Sequence, residues 1–275
     1  MSDNWKQNLL GAFLRWRPWL LGLLAVVVGG LLFEALHGLV SELSYGEVVS
    51  AIKQTPATDL WLAFGAVLAS YFALTGYDWS SLRYAGAQLP YRSVAKTSFI
   101  AYALTNTIGL GVLTGGAVRL RMYGAAGIEA GKISRIIGFN AAAFTIGITV
   151  VGAAALVWGA HDVAVVLHLP SGVLRAIAGA ILGASAVMLA LCALGPVLKF
   201  GPVKMKLPAA SLVLQQLLFS AVDIFATAAV LWLLLPSQAL AFLPFVGFFA
   251  IAIVAGVLSH VPGGLGVFET VMLAG

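Results

Sequence analysis

The sequence predicts an all-α polytopic membrane protein of about six full transmembrane helices, with re-entrant broken segments and the marks of an inverted repeat. Three observations carry that expectation. Of the 275 residues 61% are hydrophobic and 9% charged, and the mean hydropathy of +1.02 is that of a chain whose main solvent is a bilayer. The apolar runs are long and unbroken, where the strands of a membrane barrel would alternate over about 10 residues. The 15 Lys and Arg, which give a net charge of +5, are scattered between those runs, the pattern that orients helices in a bilayer. They form no basic patch of the kind that binds nucleic acid, so no nucleic acid is expected on this chain.

Taken in order, residues 1–17 read as an interfacial amphipathic helix. Trp5, Leu9, Phe13 and Trp16 share one helical face, and Lys6, Arg15 and Arg17 lie nearby. The remainder, 18–275, reads as one transmembrane domain. Crossing the hydrocarbon takes about 20 apolar residues, and runs of that length fall at 18–40, 60–77, 97–116, 136–160, 173–194, 209–235 and 239–259. If every run crosses, Lys6, Arg15, Arg17, Arg83, Arg92, Lys96 and Arg175 lie on one side and the other eight basic residues lie opposite, which is no bias. If 97–116 instead enters and returns to the same side, only Lys53 and Arg175 remain outside. This is the positive-inside arrangement, with the N-terminus cytoplasmic.

The run 97–116 also has the composition of a broken element. Asn106, Gly109, Gly111, Gly115 and Gly116, with Thr105, Thr107 and Thr114, supply flexible backbone and hydroxyls in place of aliphatic bulk. A Gly-rich packing helix with a short loop is the plainer alternative. A second break falls at His260, Pro262, Gly263, Gly264 and Gly266, because helix does not run through Pro-Gly-Gly. Two broken segments entering from opposite sides mark a midplane site in transporters built from inverted repeats. The chain stops in apolar sequence at Leu273-Ala274-Gly275, and reads as truncated before further helices.

Few residues can carry chemistry at membrane depth. Asp223 lies mid-run, where a carboxylate costs on the order of 3 kcal/mol on insertion scales. Gln216, Ser220, Asp223 and Thr227 are spaced i, i+4, i+7, i+11 and draw one polar stripe. Such a stripe lines a cavity or serves as interhelical hydrogen-bonding glue. Arg119 and Arg121 follow the Thr114-Gly115-Gly116 turn; on a helix they diverge by about 200°, so that one faces the site and the other faces lipid phosphate, unless both are orientation signals only. Asp78 sits between Tyr77 and Trp79, and reads as an interfacial acid flanked by belt aromatics. Glu34 and His37 near the end of the first span are explained by snorkelling. Glu269, after the second break, is a further cavity candidate, and Asn140, Thr145 and Thr149 are ordinary transmembrane polar residues.

Other chemistries are not encoded. There is no Walker A motif, nucleophile elbow, HExxH or dinucleotide fingerprint. Cys192 is a lone cysteine inside an apolar run, and His161, Asp162 and His168, read as one outside loop, offer no third metal ligand of suitable spacing. No metal, cofactor or catalytic residue is expected, and this chain by itself does not read as an enzyme.

Gly76-Tyr77-Asp78, Leu89-Pro90-Tyr91-Arg92, Ser98 to Gly109, Gly115-Gly116-Ala117-Val118-Arg119 and Pro262 to Glu269 together resemble the multiple peptide resistance factor family, the bacterial lysyl- or alanyl-phosphatidylglycerol synthase/flippases. The resemblance covers most of the chain from about residue 60, and a broader group of stand-alone membrane proteins shares the GGLGxxE element. It implies the flippase membrane domain, with phosphatidylglycerol and its aminoacyl derivative as partners and a bacterial inner-membrane location. It also implies a missing cytosolic domain that would take aminoacyl-tRNA, and it leaves synthase activity outside these residues; a homo-oligomer is a further candidate assembly. By the same resemblance Asp78, Arg119 and, most weakly, Asp223 match charged positions of the flippase domain. A lysyl lipid agrees with the residues, since Asp223 and Glu269 would take its ammonium groups and Arg119 or Arg121 its phosphate. Two readings of another class stand beside it: a secondary transporter of a small polar solute, and a non-transporting scaffold for the missing enzyme.

Overall fold

The computed structural model describes residues 45–108, 111–195, 197–200, 203–235, 240–259, 261, 264 and 266–273. The helix expected at 1–17, the span expected at 18–40 with Glu34 and His37, and Gly109, His260, Pro262 and Gly263 lie outside the described residues. The chain divides between Pro56 and Ala57 into two compact units. In the first, α1 is Tyr45–Gln54.

Among the described residues, the regular structure of the second unit is helical apart from one short ribbon. Its elements are α2 (Ala57–Tyr84), α3 (Tyr91–Ile108), α4 (Gly111–Ala125), α5 (Ala130–Leu167), α6 (Ser171–Leu194), β1 (Val197–Phe200), β2 (Val203–Lys206), α7 (Ala210–Leu234), α8 (Phe242–Leu258) and α9 (Val267–Leu273). Among the described residues α2, α5, α6 and α7 are long and apolar enough to cross a membrane. The run expected at 239–259 forms α8, 17 residues long, just short of the usual ~20.

The run at 97–116 is a helical hairpin. Thr105 Oγ1 donates to the Gly111 carbonyl at 3.3 Å and lies 3.3 Å from Thr114 Oγ1, and the Arg119 guanidinium stacks on the Tyr102 ring at 4.8 Å. Partner numbers on α4 rise as those on α3 fall, so the legs are antiparallel. Gly115 and Gly116, expected at the break, lie inside α4. A Cβ on Gly115 would sit 2.7 Å from Thr105 Oγ1, so its small size is what lets the legs close. The second break is also a reversal: Gly264 and Gly266 take left-handed φ of 67° and 81°, and Phe268 of α9 packs edge-on against Phe249 of α8, ring centroids 5.8 Å apart.

The bundle centres on α5, whose 38 residues span about 57 Å at 1.5 Å each and extend past a ~30 Å hydrocarbon core. This length corrects one expectation. His161 and Asp162 belong to the last turns of α5, and His168 caps it in the left-handed region at φ 54°, so these residues do not form a loop. Four apolar cores pack along α5, one of them formed by Ala143 with Leu74 and Tyr77 of α2. Ile148 and Val151 meet Ile224 of α7 and Phe249 of α8; Ala160 and Val163 meet Leu174 and Ala178 of α6 and Phe248 of α8; Ile133 and Ile136 meet Leu82 of α2, Val94 of α3 and Tyr123 of α4. Lipid tails are as apolar as these side chains, so close packing rather than water exclusion drives such contacts.

Among the described residues the ribbon is the one departure from all-helix. Its strands pair antiparallel with Lys199 opposite Lys204 and Val197 opposite Lys206.

The antiparallel contacts fix which helix ends share a face. The end of α2, the start of α3, the end of α4, the start of α5, the end of α6 and the start of α7 lie together. Arg83, Arg92, Lys96, Arg121, Lys132, Arg135 and the ribbon lysines fall toward that face, and Arg175 falls toward the other.

Candidate functional site

A buried polar spine runs through the middle of the second unit. The α2–α7 seam carries its first part. Gln216 Nε2 donates to the Tyr77 carbonyl and to Ser81 Oγ, both at 3.3 Å, Tyr77 OH donates to Ser220 Oγ at 2.6 Å, and Ser70 Oγ donates to Asp223 Oδ1 at 2.5 Å. Ser70, Tyr77 and Ser81 fall at i, i+7, i+11 on α2, so each helix contributes one polar stripe and the two stripes face each other. Gln216, Ser220 and Asp223 are buried there. Thr227 is exposed and its hydroxyl donates back to the Asp223 carbonyl at 2.8 Å, so the expected stripe ends at Asp223.

The second part centres on Asp78. Its carboxylate is 0% exposed, not interfacial as the flanking aromatics suggest. Arg119 Nε reaches both carboxylate oxygens at 3.1 and 3.0 Å and Nη2 reaches Oδ1 at 2.7 Å. Tyr123 OH donates to Oδ2 at 2.7 Å, and Asn140 Nδ2 donates to Oδ1. Asn140 Oδ1 accepts in turn from Ser81, which joins the Asp78 cluster to Gln216. The ion pair therefore satisfies the two conditions a buried charge needs, an opposite charge in fork geometry and hydrogen bonds to the remaining lone pairs. It also ties the α3–α4 hairpin to α2 and α5.

The two arginines part company on α4. Arg119 is 5% exposed and committed to Asp78, whereas Arg121, two residues on, is exposed. Tyr77, expected at a belt, is buried, and only Trp79 of that pair faces outward, at 42%. Glu269 does not enter the spine: its Oε2 accepts from the Gly266 backbone N–H at 2.7 Å, a reach-back that caps α9. Sequence reasoning missed Ser70, Tyr77, Ser81, Tyr123 and Asn140 as members. The available signal was the i, i+7, i+11 spacing on α2, parallel to the stripe read on α7.

Two features of the spine bear on binding. Asp223 is buried, and among the described residues no cation lies within ion-pair distance of it. The Oε1 atoms of Gln215 and Gln216 are buried acceptors without a donor among the described residues. Buried acceptors left open are the usual mark of a site completed by water or a ligand. Among the described residues no group of three or more His, Cys, Asp or Glu converges as a metal site.

Comparison with known proteins places the chain. No family model matches it. It is 28% identical over 235 residues to the inner membrane protein YbhN of Escherichia coli, covering 85% of this chain and 73% of that protein. It is 35% identical over 257 residues to the uncharacterized protein slr0712 of Synechocystis sp., covering 90% of this chain and 78% of that protein. At that identity and coverage, and with helices fit to cross a bilayer, the chain belongs to the family of slr0712 and is an α-helical membrane protein.

Proposed function

We propose that the chain translocates an aminoacylated phosphatidylglycerol, lysyl- or alanyl-, from the inner to the outer leaflet of a bacterial inner membrane. It acts as the flippase part of a phosphatidylglycerol aminoacyltransferase/flippase that protects against cationic peptides. The observation that carries the reading is Asp223, a carboxylate buried at the α2–α7 crossing whose side-chain partner is a hydroxyl. An acid at that depth calls for a cation, and the ammonium of an aminoacyl lipid brings one. Arg121, exposed on α4, is the cation for the phosphate in this reading, while Arg119 holds the hairpin through Asp78. The basic face is the cytoplasmic one in this reading.

The test is leaflet exchange of a fluorescent lysyl-phosphatidylglycerol in vesicles reconstituted with the chain. Asp223→Asn is expected to slow protein-dependent exchange at least about tenfold, the loss of roughly one charge-assisted contact. Exchange no faster than in empty vesicles, from folded protein, overturns the reading in favour of a scaffold. Saturable uptake of a polar solute instead favours a secondary transporter.

A further inference from the structure

Outside the spine, a groove of about 350 Å³ opens on the outer side of α2, lined by Phe72, Thr75, Gly76, Trp79, Tyr91 and Phe219. Phe72, Gly76, Trp79 and Arg83 are spaced i, i+4, i+7, i+11 and so form one stripe along α2, about 17 Å from end to end. Tyr91 of α3 makes one wall. Phe219 of α7 makes the floor, its ring filling the space where a Cβ on Gly76 would lie, 2.5 Å away. The groove's two hydroxyls are spent internally. Thr75 Oγ1 donates to the Phe72 carbonyl at 2.7 Å, so across the 2.7 Å contact between Thr75 Oγ1 and Tyr91 OH it is Tyr91 that donates. No hydroxyl proton remains for a polar solute, and apart from Gly76 the rest of the lining is aromatic.

The groove's charge lies at one end only. The Arg83 guanidinium sits 5.3 Å from the centre of the Trp79 ring, and exposed Arg92 follows Tyr91 directly, both toward the basic face. An apolar channel along a membrane-spanning helix, with Arg83 at its end and Arg92 one residue past its Tyr91 wall, matches one amphiphile: a hydrocarbon tail below an anionic head. We infer that this groove is a binding site for an anionic glycerophospholipid, one acyl chain lying along Phe72, Gly76 and Trp79 and the phosphate resting on Arg83 and Arg92. The site rests on the bilayer being the solvent and not on translocation, so it stands if no lipid is moved.

The test uses the full chain in vesicles carrying either dibrominated phosphatidylglycerol or dibrominated phosphatidylcholine in a neutral host lipid. The part of the bromine quenching that Trp79→Phe removes reports the groove. Phosphatidylglycerol is expected to fill the site at a mole fraction about 25-fold lower than phosphatidylcholine, about fivefold for each of the two arginines. Arg83→Gln with Arg92→Gln, both at exposed positions, is expected to abolish that preference, so that the two lipids quench alike. Equal quenching by the two lipids in the unmodified chain shows annular contact only and overturns the proposal, as does a preference that survives the double substitution. Leaflet exchange reads the translocation proposal separately: exchange lost with the preference intact defeats that reading alone.

Discussion

Replacing Asp78 by alanine is expected to destabilise the bundle by about 3–5 kcal/mol, the usual cost of stranding one partner of a buried ion pair. Arg119 would keep its charge at 5% exposure without a carboxylate, and the donors on Tyr123 and Asn140 would lose their acceptor as well. Arg119→Ala is expected to cost a similar amount, because Asp78 then stays buried against neutral donors. The pair is not expected to be worth the sum of the two losses. Asp78→Asn combined with Arg119→Gln removes both charges while keeping polar groups of similar shape, and should recover more than half of either single loss. Unfolding of the detergent-solubilised chain, followed by circular dichroism for the unmodified chain and the three variants, measures this directly. Additive losses would show that Asp78 and Arg119 act independently, contrary to the 2.7 Å ion pair. Because the pair joins α4 to α2, the same variants should increase proteolytic cleavage in the α3–α4 hairpin before the remaining helices are cut.

Gly159→Ala, a single added methyl group, is expected to cost about 1–3 kcal/mol through overpacking. A Cβ at Gly159 would lie 2.7 Å from the Cα of Pro244, a backbone atom that cannot turn aside, so α5 and α8 must separate. Gly152, two turns earlier on the same face of α5, is as tight, with the Ala250 methyl 2.5 Å from its missing Cβ. In a bilayer, helices are held by this closeness of approach, and the seam has no slack. Gly179→Ala on α6 is the control. Nothing lies within 4 Å of its missing Cβ, and replacing a helix-interior glycine there should stabilise by roughly 0.5–1 kcal/mol. Opposite signs for the two substitutions in one unfolding assay are the expected result; equal effects would place α8 away from α5.

The spine shows how the site became partly legible. On α7 the i, i+4, i+7 spacing of Gln216, Ser220 and Asp223 was enough, since isolated polar residues in a lipophilic helix have to turn toward protein. Asp78 was visible as a charge but misplaced as a boundary residue, because Tyr77 and Trp79 beside it have the composition of an interfacial belt. Nothing in the local sequence tells a belt tyrosine from one whose hydroxyl reaches Ser220. The partners of Asp78 lie 41, 45 and 62 positions along the chain, and periodicity within one helix carries no information about another. Glu269 shows the opposite limit: its position after a Gly-rich break suggested a cavity, and a three-residue reach-back to Gly266 absorbs it.

The sequence by itself determined the solvent, the helical class, the break between Asn106 and Gly111 and the clustering of basic residues toward one side. All four follow from composition and from single-helix geometry, which are local. Only the tertiary structure decided that Arg119 is spent on Asp78 while Arg121 is exposed, that among the described residues Asp223 meets a hydroxyl and no cation, and that an aromatic groove runs up α2 to Arg83. Each of these depends on which helices touch and at what height, and that is set by where glycines let backbones approach, a property of pairs of helices that no single run of residues contains.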